Sequence, residues 1–180
     1  MTTTRPPFCV LMAGLPGSGK TTLSRALTAR GFVRLCPDEE MYRRHGVYGV
    51  DFPRGTFPVL ERPVLDDVAV DLRDQLKTGR DVIVDHGFWT LEERARWRAI
   101  AVDAGATPVL VYLAANHEEL WARISKRNDF HADDPNSIYF SESDLRRYRS
   151  RFIPPAIDEP HLLYDGDPGA VIAALELSDL

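Results

Sequence analysis

The chain has 180 residues, a formal charge of −5 from 22 basic and 27 acidic side chains, and 44% hydrophobic content, which suits one globular domain with an ordinary core. The acidic balance excludes a protein-wide positive field for nucleic acid or anionic membrane, so an anionic ligand must be met by local positive groups. Two cysteines, Cys9 and Cys36, are too few for a disulfide-stapled secreted scaffold, and no apolar run approaches the roughly 18 residues that span a bilayer.

Met1–Pro7 is polar, ends in Pro-Pro, and is expected to be a disordered tail ahead of a single domain over 8–180. Phe8–Met12 is a continuous apolar run before a glycine-rich turn, as a buried parallel strand requires. Leu23, Ala26 and Leu27 recur at helical steps between Lys20 and Arg30, and Gly31 ends that helix. Phe32–Cys36 reads as a second strand stopped by Pro37, Glu39–Arg44 opens a helix, and Tyr48–Pro58 reads as a mobile loop. Val59–Leu76 has helical spacing, and Val82–Val84 is a third strand ended by Asp85. Thr90 and Asn116 cap helices running to Ala104 and Arg127, with the strand Val109–Leu113 between them. Residues 128–140 are polar and loop-like, and Ser141 caps a helix towards Phe152. Leu162–Tyr164 and Pro168–Leu175 close the chain as strand and helix. This alternation predicts a doubly wound α/β fold on a five-stranded parallel sheet.

Gly14-Leu15-Pro16-Gly17-Ser18-Gly19-Lys20-Thr21 fits G-x-x-x-x-G-K-[ST] in full, between an apolar strand and an amphipathic helix. Glycines let such a loop curl its amides inward, and the helix N-terminus adds its dipole, so the pattern suits a nucleoside triphosphate. Gly14, Gly17, Ser18, Gly19, Lys20, Thr21 and Thr22 are the expected contacts, with Lys20 on the β- and γ-phosphates and the Thr21 hydroxyl on Mg²⁺. Asp85, closing the third strand, can hold Mg²⁺ through a water or position a substrate hydroxyl; a turn-capping aspartate is its plainer reading. His86 follows it, where motor ATPases carry a water-activating glutamate, and no guanine-reading Asn-Lys-x-Asp is present. Transfer to a bound acceptor therefore fits better than hydrolysis.

Those motifs, with Asp38 in Leu35-Cys36-Pro37-Asp38-Glu39, the Val84-Asp85-His86-Gly87-Phe88-Trp89 segment and Arg123/Arg127, resemble the small P-loop kinases. That group includes adenylate kinase-like enzymes, chloramphenicol phosphotransferase, zeta toxins and polynucleotide 5′-kinases. The pattern is most similar to bacterial AAA-domain kinases with D-x-G-F-W and a late F-x-P-P, over about residues 8–155.

The resemblance implies that Asp38 is the base that takes the acceptor's hydroxyl proton, although aspartate is also a favoured cap for a helix starting at Glu39. It implies that Arg123 stacks on adenine, that Arg127 reaches the phosphates, and that 128–140 is a short lid over ATP. Of Arg146, Arg147, Arg149 and Arg151, one or two could face the transferred group, the others forming a solvated face. Trp89 could be core or line an acceptor pocket, with Tyr48, Phe52 and Phe57 as weaker candidates. His86 has either a substrate contact or no role, and Cys36 reads as an inert thiol. The five histidines show no metal-ligand spacing.

The implied activity is ATP- and Mg²⁺-dependent phosphorylation of a hydroxyl on a small molecule such as a nucleoside, sugar or antibiotic. A polynucleotide 5′-kinase is the alternative, weakened by the net charge. An ATP-binding regulatory or toxin module is the third reading. A cytoplasmic protein without membrane contact is expected.

Overall fold

The computed structural model describes residues 5–129 and 138–177. Its centre is strand β1 (Phe8–Ala13), every residue of which is buried. Alternate side chains of that strand enter two cores: Cys9, Leu11 and Ala13 join one, while Phe8, Val10 and Met12 join the other. An uninterrupted apolar sequence is what a strand covered on both faces demands.

Around it stand β2 (Val33–Leu35), β3 (Val82–Gly87), β4 (Thr107–Tyr112) and β5 (Leu162–Leu163) in the order β2-β3-β1-β4-β5, all pairs parallel. Helices α1 (Lys20–Thr28) and α7 (Pro168–Leu177) cover one face, with Leu23, Leu27 and Val171 in its core. The other face is covered by α2 (Pro37–His45), α3 (Phe57–Lys77) and α4 (Leu91–Asp103), through Met41, Leu72 and Trp97. Helices α5 (His117–Asn128) and α6 (Glu142–Arg151) meet in a third cluster of Leu120, Ile124 and Leu145 beside Leu15. The connection from β1 leads away from β4, so the strand order reverses beside β1. The C-terminal ends of β1 and β3 therefore open the crevice where doubly wound folds bind ligands.

The differences from the expected elements have local causes. Helix α2 starts at Pro37, whose fixed φ suits the first helical position, so Asp38 lies inside the first turn and Cys36 takes the cap position. Asp38 is not the cap of that helix. Helix α3 starts at Phe57, inside the expected loop, because Pro58 falls in a first turn where its missing N–H costs nothing. Tyr48, Phe52 and Phe57 pack their rings at 5.2–6.2 Å in the stretch expected to be a mobile loop. Strand β3 does not stop at Asp85 but continues to Gly87, with an irregularity between Ile83 and Gly87 where four residues advance against two of β1. At the N-terminus, Arg5 pairs with Asp81 at 2.8 Å and the Pro7 carbonyl accepts from the Thr107 amide at 2.8 Å. Residues 5–7 of the expected tail are thus tied to the sheet. Residues 1–4, and 130–137 of the expected lid, lie outside the described residues.

Candidate active site

The loop after β1 turns with Gly17 at φ 82° and Gly19 at φ 100°, a region that L side chains avoid. Gly19 is also the N-cap of α1, so no side chain caps that helix, and its first turn holds no acidic residue. The end of α1 therefore keeps its unsatisfied amides and the positive end of its dipole for an anion. Lys20 donates to the carbonyls of Leu15 at 2.8 Å and Gly14 at 3.3 Å. Burial lowers its ammonium to about 8, while Asp85 and Asp38 pull the other way.

Helix α5 braces this loop from outside. A side chain at Gly17 would meet the Leu120 carbonyl and Ile124, and Arg123 donates to the Gly17 carbonyl at 3.0 Å. From β3 comes a second brace. A Cβ at Gly87 would overlap the Gly14 carbonyl oxygen, and the Trp89 indole N–H donates to that same oxygen at 3.3 Å. Trp89 is thus neither plain core nor simply a pocket wall: it holds the phosphate loop, with its ring 5.1 Å from that of Tyr148.

Asp85 is 4% exposed. Its Oδ2 accepts from Ser24 Oγ at 2.8 Å and from Arg34 Nη2 and Nε at 2.6 and 2.9 Å. Arg34 also donates to Glu39 at 2.6 Å. Neither Arg34 nor Ser24 stands out in the sequence. The available signals were a charge between Val33 and Leu35 in a short strand and a hydroxyl beside Leu23 on the buried face of α1.

Asp38 lies across the cleft. Burial raises its carboxyl to about 6, opposed by Lys20 and further by Arg127 and Arg34, and supported by Asp85. Glu61 on α3 is pushed up to about 8, first by burial and then by Asp38 and Glu93. His86 is pushed down to about 4 by burial and by Lys20, so its ring is neutral near pH 7 and packs edge-on to Phe88. Burial pushes the Cys36 thiol up, away from reactivity.

Of these groups, Lys20, Asp38 and Asp85 line a cleft of about 250 Å³, with Gly17, Gly19, Thr21, Thr22, Arg123 and Arg127 and with Pro16, Ile138 and Phe140, whereas Glu61, His86 and Cys36 do not. The expected site residues Gly14 and Ser18 do not line it. Gly14 lies behind the loop, where a Cβ would strike Ser18 Oγ and Leu113, and Ser18 is itself buried. None of the four arginines of α6 lines it either. Arg146 and Arg147 pair with Glu142 and Asp144 at 3.0 and 2.8 Å, and Arg149 and Arg151 are exposed. Arg123 lines the cleft with its guanidinium on the loop backbone.

Residues 9–155 match the family model described as an AAA domain. The chain belongs to this family. A UPF0200 protein of Pyrobaculum aerophilum is 29% identical over 139 residues, which cover 77% of this chain and 76% of that protein. Among solved structures, a protein of Chloroflexus aurantiacus named as a candidate kinase superposes with TM-score 0.76 at 24% identity, covering 96% of this AAA-domain chain and 98% of its own. The APS kinase CysC of Mycobacterium tuberculosis, in complex with AMPPNP and APS, superposes with TM-score 0.64 at 21% identity, covering 96% and 99%. The fold is that of P-loop kinases. No helix among the described residues is long and apolar enough to cross a membrane.

Proposed function

We propose that this protein is an ATP- and Mg²⁺-dependent kinase that moves the γ-phosphoryl group to a hydroxyl of a small molecule. The observation that carries this reading is the uncapped start of α1, facing one cleft with a cation, Lys20, and a carboxylate of raised pKa, Asp38. A helix end without its own acid or cap suits a phosphate chain. The pair Thr21 and Asp85 offers the hard oxygen donors that Mg²⁺ prefers, with Asp85 acting through water because Arg34 and Ser24 already hold its Oδ2. Held there, Mg²⁺ would supply positive charge against the negative charge that develops on the phosphates.

The chain's own residues divide the remaining work. Lys20 and Arg127 present positive charge where negative charge accumulates during transfer. Asp38 accepts the acceptor's proton as the acceptor oxygen bonds phosphorus and the β–γ bridging P–O bond breaks, releasing ADP. Trp89, Gly87 and Arg123 keep the loop in one shape, so little reorganisation is left for the reaction.

Binding is tested without knowing the acceptor. Mg·ATP at about 100 times its dissociation constant should stabilise the protein by about 2.7 kcal/mol, visible as a raised melting temperature. Lys20→Ala should remove most of that shift and keep the fold; an equal shift in the variant defeats the reading. A screen of hydroxyl-bearing metabolites for ADP release then identifies the acceptor.

A further inference from the structure

Arg94 lies on α4, outside the cleft, and its side chain is completely buried. A guanidinium in a core has to be matched by acceptors on all its donors. Here Nε and Nη2 donate to the two oxygens of Glu159 at 2.7 and 2.9 Å, and Nη1 donates to the carbonyls of Phe88 at 3.2 Å and Ile153 at 3.0 Å. The hydrogen bond from Arg94 is the main reason the Glu159 carboxyl sits below its ordinary range. Arg98 adds a bond to Glu159 at 3.0 Å.

Two segments distant in sequence, the end of the 85–89 stretch and residues 153–159, are thereby gathered on one planar group. The Ile153 amide closes the junction by donating to the Trp89 carbonyl at 2.8 Å. From there the contacts run directly into the phosphate loop, through Gly87 packed on the Gly14 carbonyl and the Trp89 indole bonded to it.

We propose that Arg94, with Glu159 as its counter-ion, is a positioning residue that holds Gly87–Trp89 against the phosphate loop and so sets the loop's shape for its ligand. The proposal rests on the nucleotide reading of the cleft. A buried ion pair is weak evidence for stability, since apolar replacements are often as stable; what such a pair specifies is one arrangement of its partners. Lysine, a point charge with three donors on a flexible stem, cannot reproduce a rigid fork that serves a carboxylate and two carbonyls together.

The test uses the full chain, with calorimetric Mg·ATP binding and thermal melting measured on wild type, Arg94→Lys, Glu159→Gln and Val171→Ala. Val171 lies on α7 in the core across the sheet, and its truncation lowers stability without touching this junction. Arg94→Lys should raise the Mg·ATP dissociation constant about tenfold, equivalent to about 1.4 kcal/mol. Glu159→Gln should raise it about threefold, and Val171→Ala should leave it unchanged despite a lower melting temperature. An unchanged constant in Arg94→Lys overturns the proposal; if that variant does not fold, an unchanged constant in Glu159→Gln overturns it. Wild-type protein that fails to bind Mg·ATP overturns the nucleotide reading itself, a different result from binding that the variants do not weaken.

Discussion

Helices α4, α5 and α6 begin on Thr90, Asn116 and Ser141, each of which accepts a hydrogen bond from the third helical residue's amide. Glu93, Glu119 and Asp144 return a bond to the cap amide in each case. Helix α1 begins on Gly19, which has no side chain, and carries Thr22 where the others carry an acid. The first three ends satisfy their donors and balance their dipole from within. The end of α1 leaves both tasks to a ligand. Asp38 extends the contrast: it stands in the first turn of α2, yet no side chain caps that helix, and its carboxylate faces Lys20 across the cleft.

If Asp38 serves the acceptor rather than its own helix, Asp38→Asn should lower turnover about 10²–10⁴-fold and leave the Mg·ATP melting shift intact. A largely dissociative transition state would put the loss at the lower end. A fully active variant would return Asp38 to a first-turn dipole partner. The same assignment fixes a pH profile of kcat/KM. The base works as carboxylate, so activity should fall as pH drops through about 6; the cation works protonated, so activity should fall as pH rises through about 8. Bound phosphates should move the alkaline limb of kcat upward, and a flat profile from pH 5 to 9 would contradict both roles.

The comparison can also be broken by design. Thr22→Glu gives α1 the third-position acid that the other helices have. It should weaken Mg·ATP binding by about tenfold or more through charge repulsion, while the melting temperature without ligand holds or rises slightly. Unchanged affinity, measured by calorimetry, would mean that phosphates do not sit at this helix end. The smallest effect belongs to a finished end. Asn116→Ala should cost about 1 kcal/mol, or about 2–4 °C in melting temperature, and leave Mg·ATP affinity as it was.

Much of this was written locally in the chain. The eight-residue loop pattern, the doubly covered strand β1 and the caps at Thr90, Asn116 and Ser141 depend on neighbours within a few residues, so spacing alone exposes them. Lys20 and Thr21 belong to that loop pattern, while Asp38, Asp85, Arg123 and Arg127 were singled out on the short segments that carry the resemblance, and all six line the cleft.

Sheet order and packing decided what no local window holds. Asp85 reads as a strand stop, yet β3 continues past it to Gly87, which pairs with Met12 of β1, whereas the pairing with β2 ends at Val84. Arg34 pairs in register with Ile83, and Asp85 is the next residue on that face, where Ser24 of α1 also arrives. Gly87 must be glycine because the Gly14 backbone crosses it, a contact between residues 73 positions apart. Trp89 reads as either core or a wall of an acceptor pocket until its indole is found on the Gly14 carbonyl. Arg94, one of several arginines in α4, becomes distinct only when Phe88, Ile153 and Glu159 converge on it. The chain by itself determined the elements and the loop, because backbone dihedrals and caps are local energies. The partners of its buried charges had to wait for the tertiary structure, because those are settled by which surfaces the fold brings together.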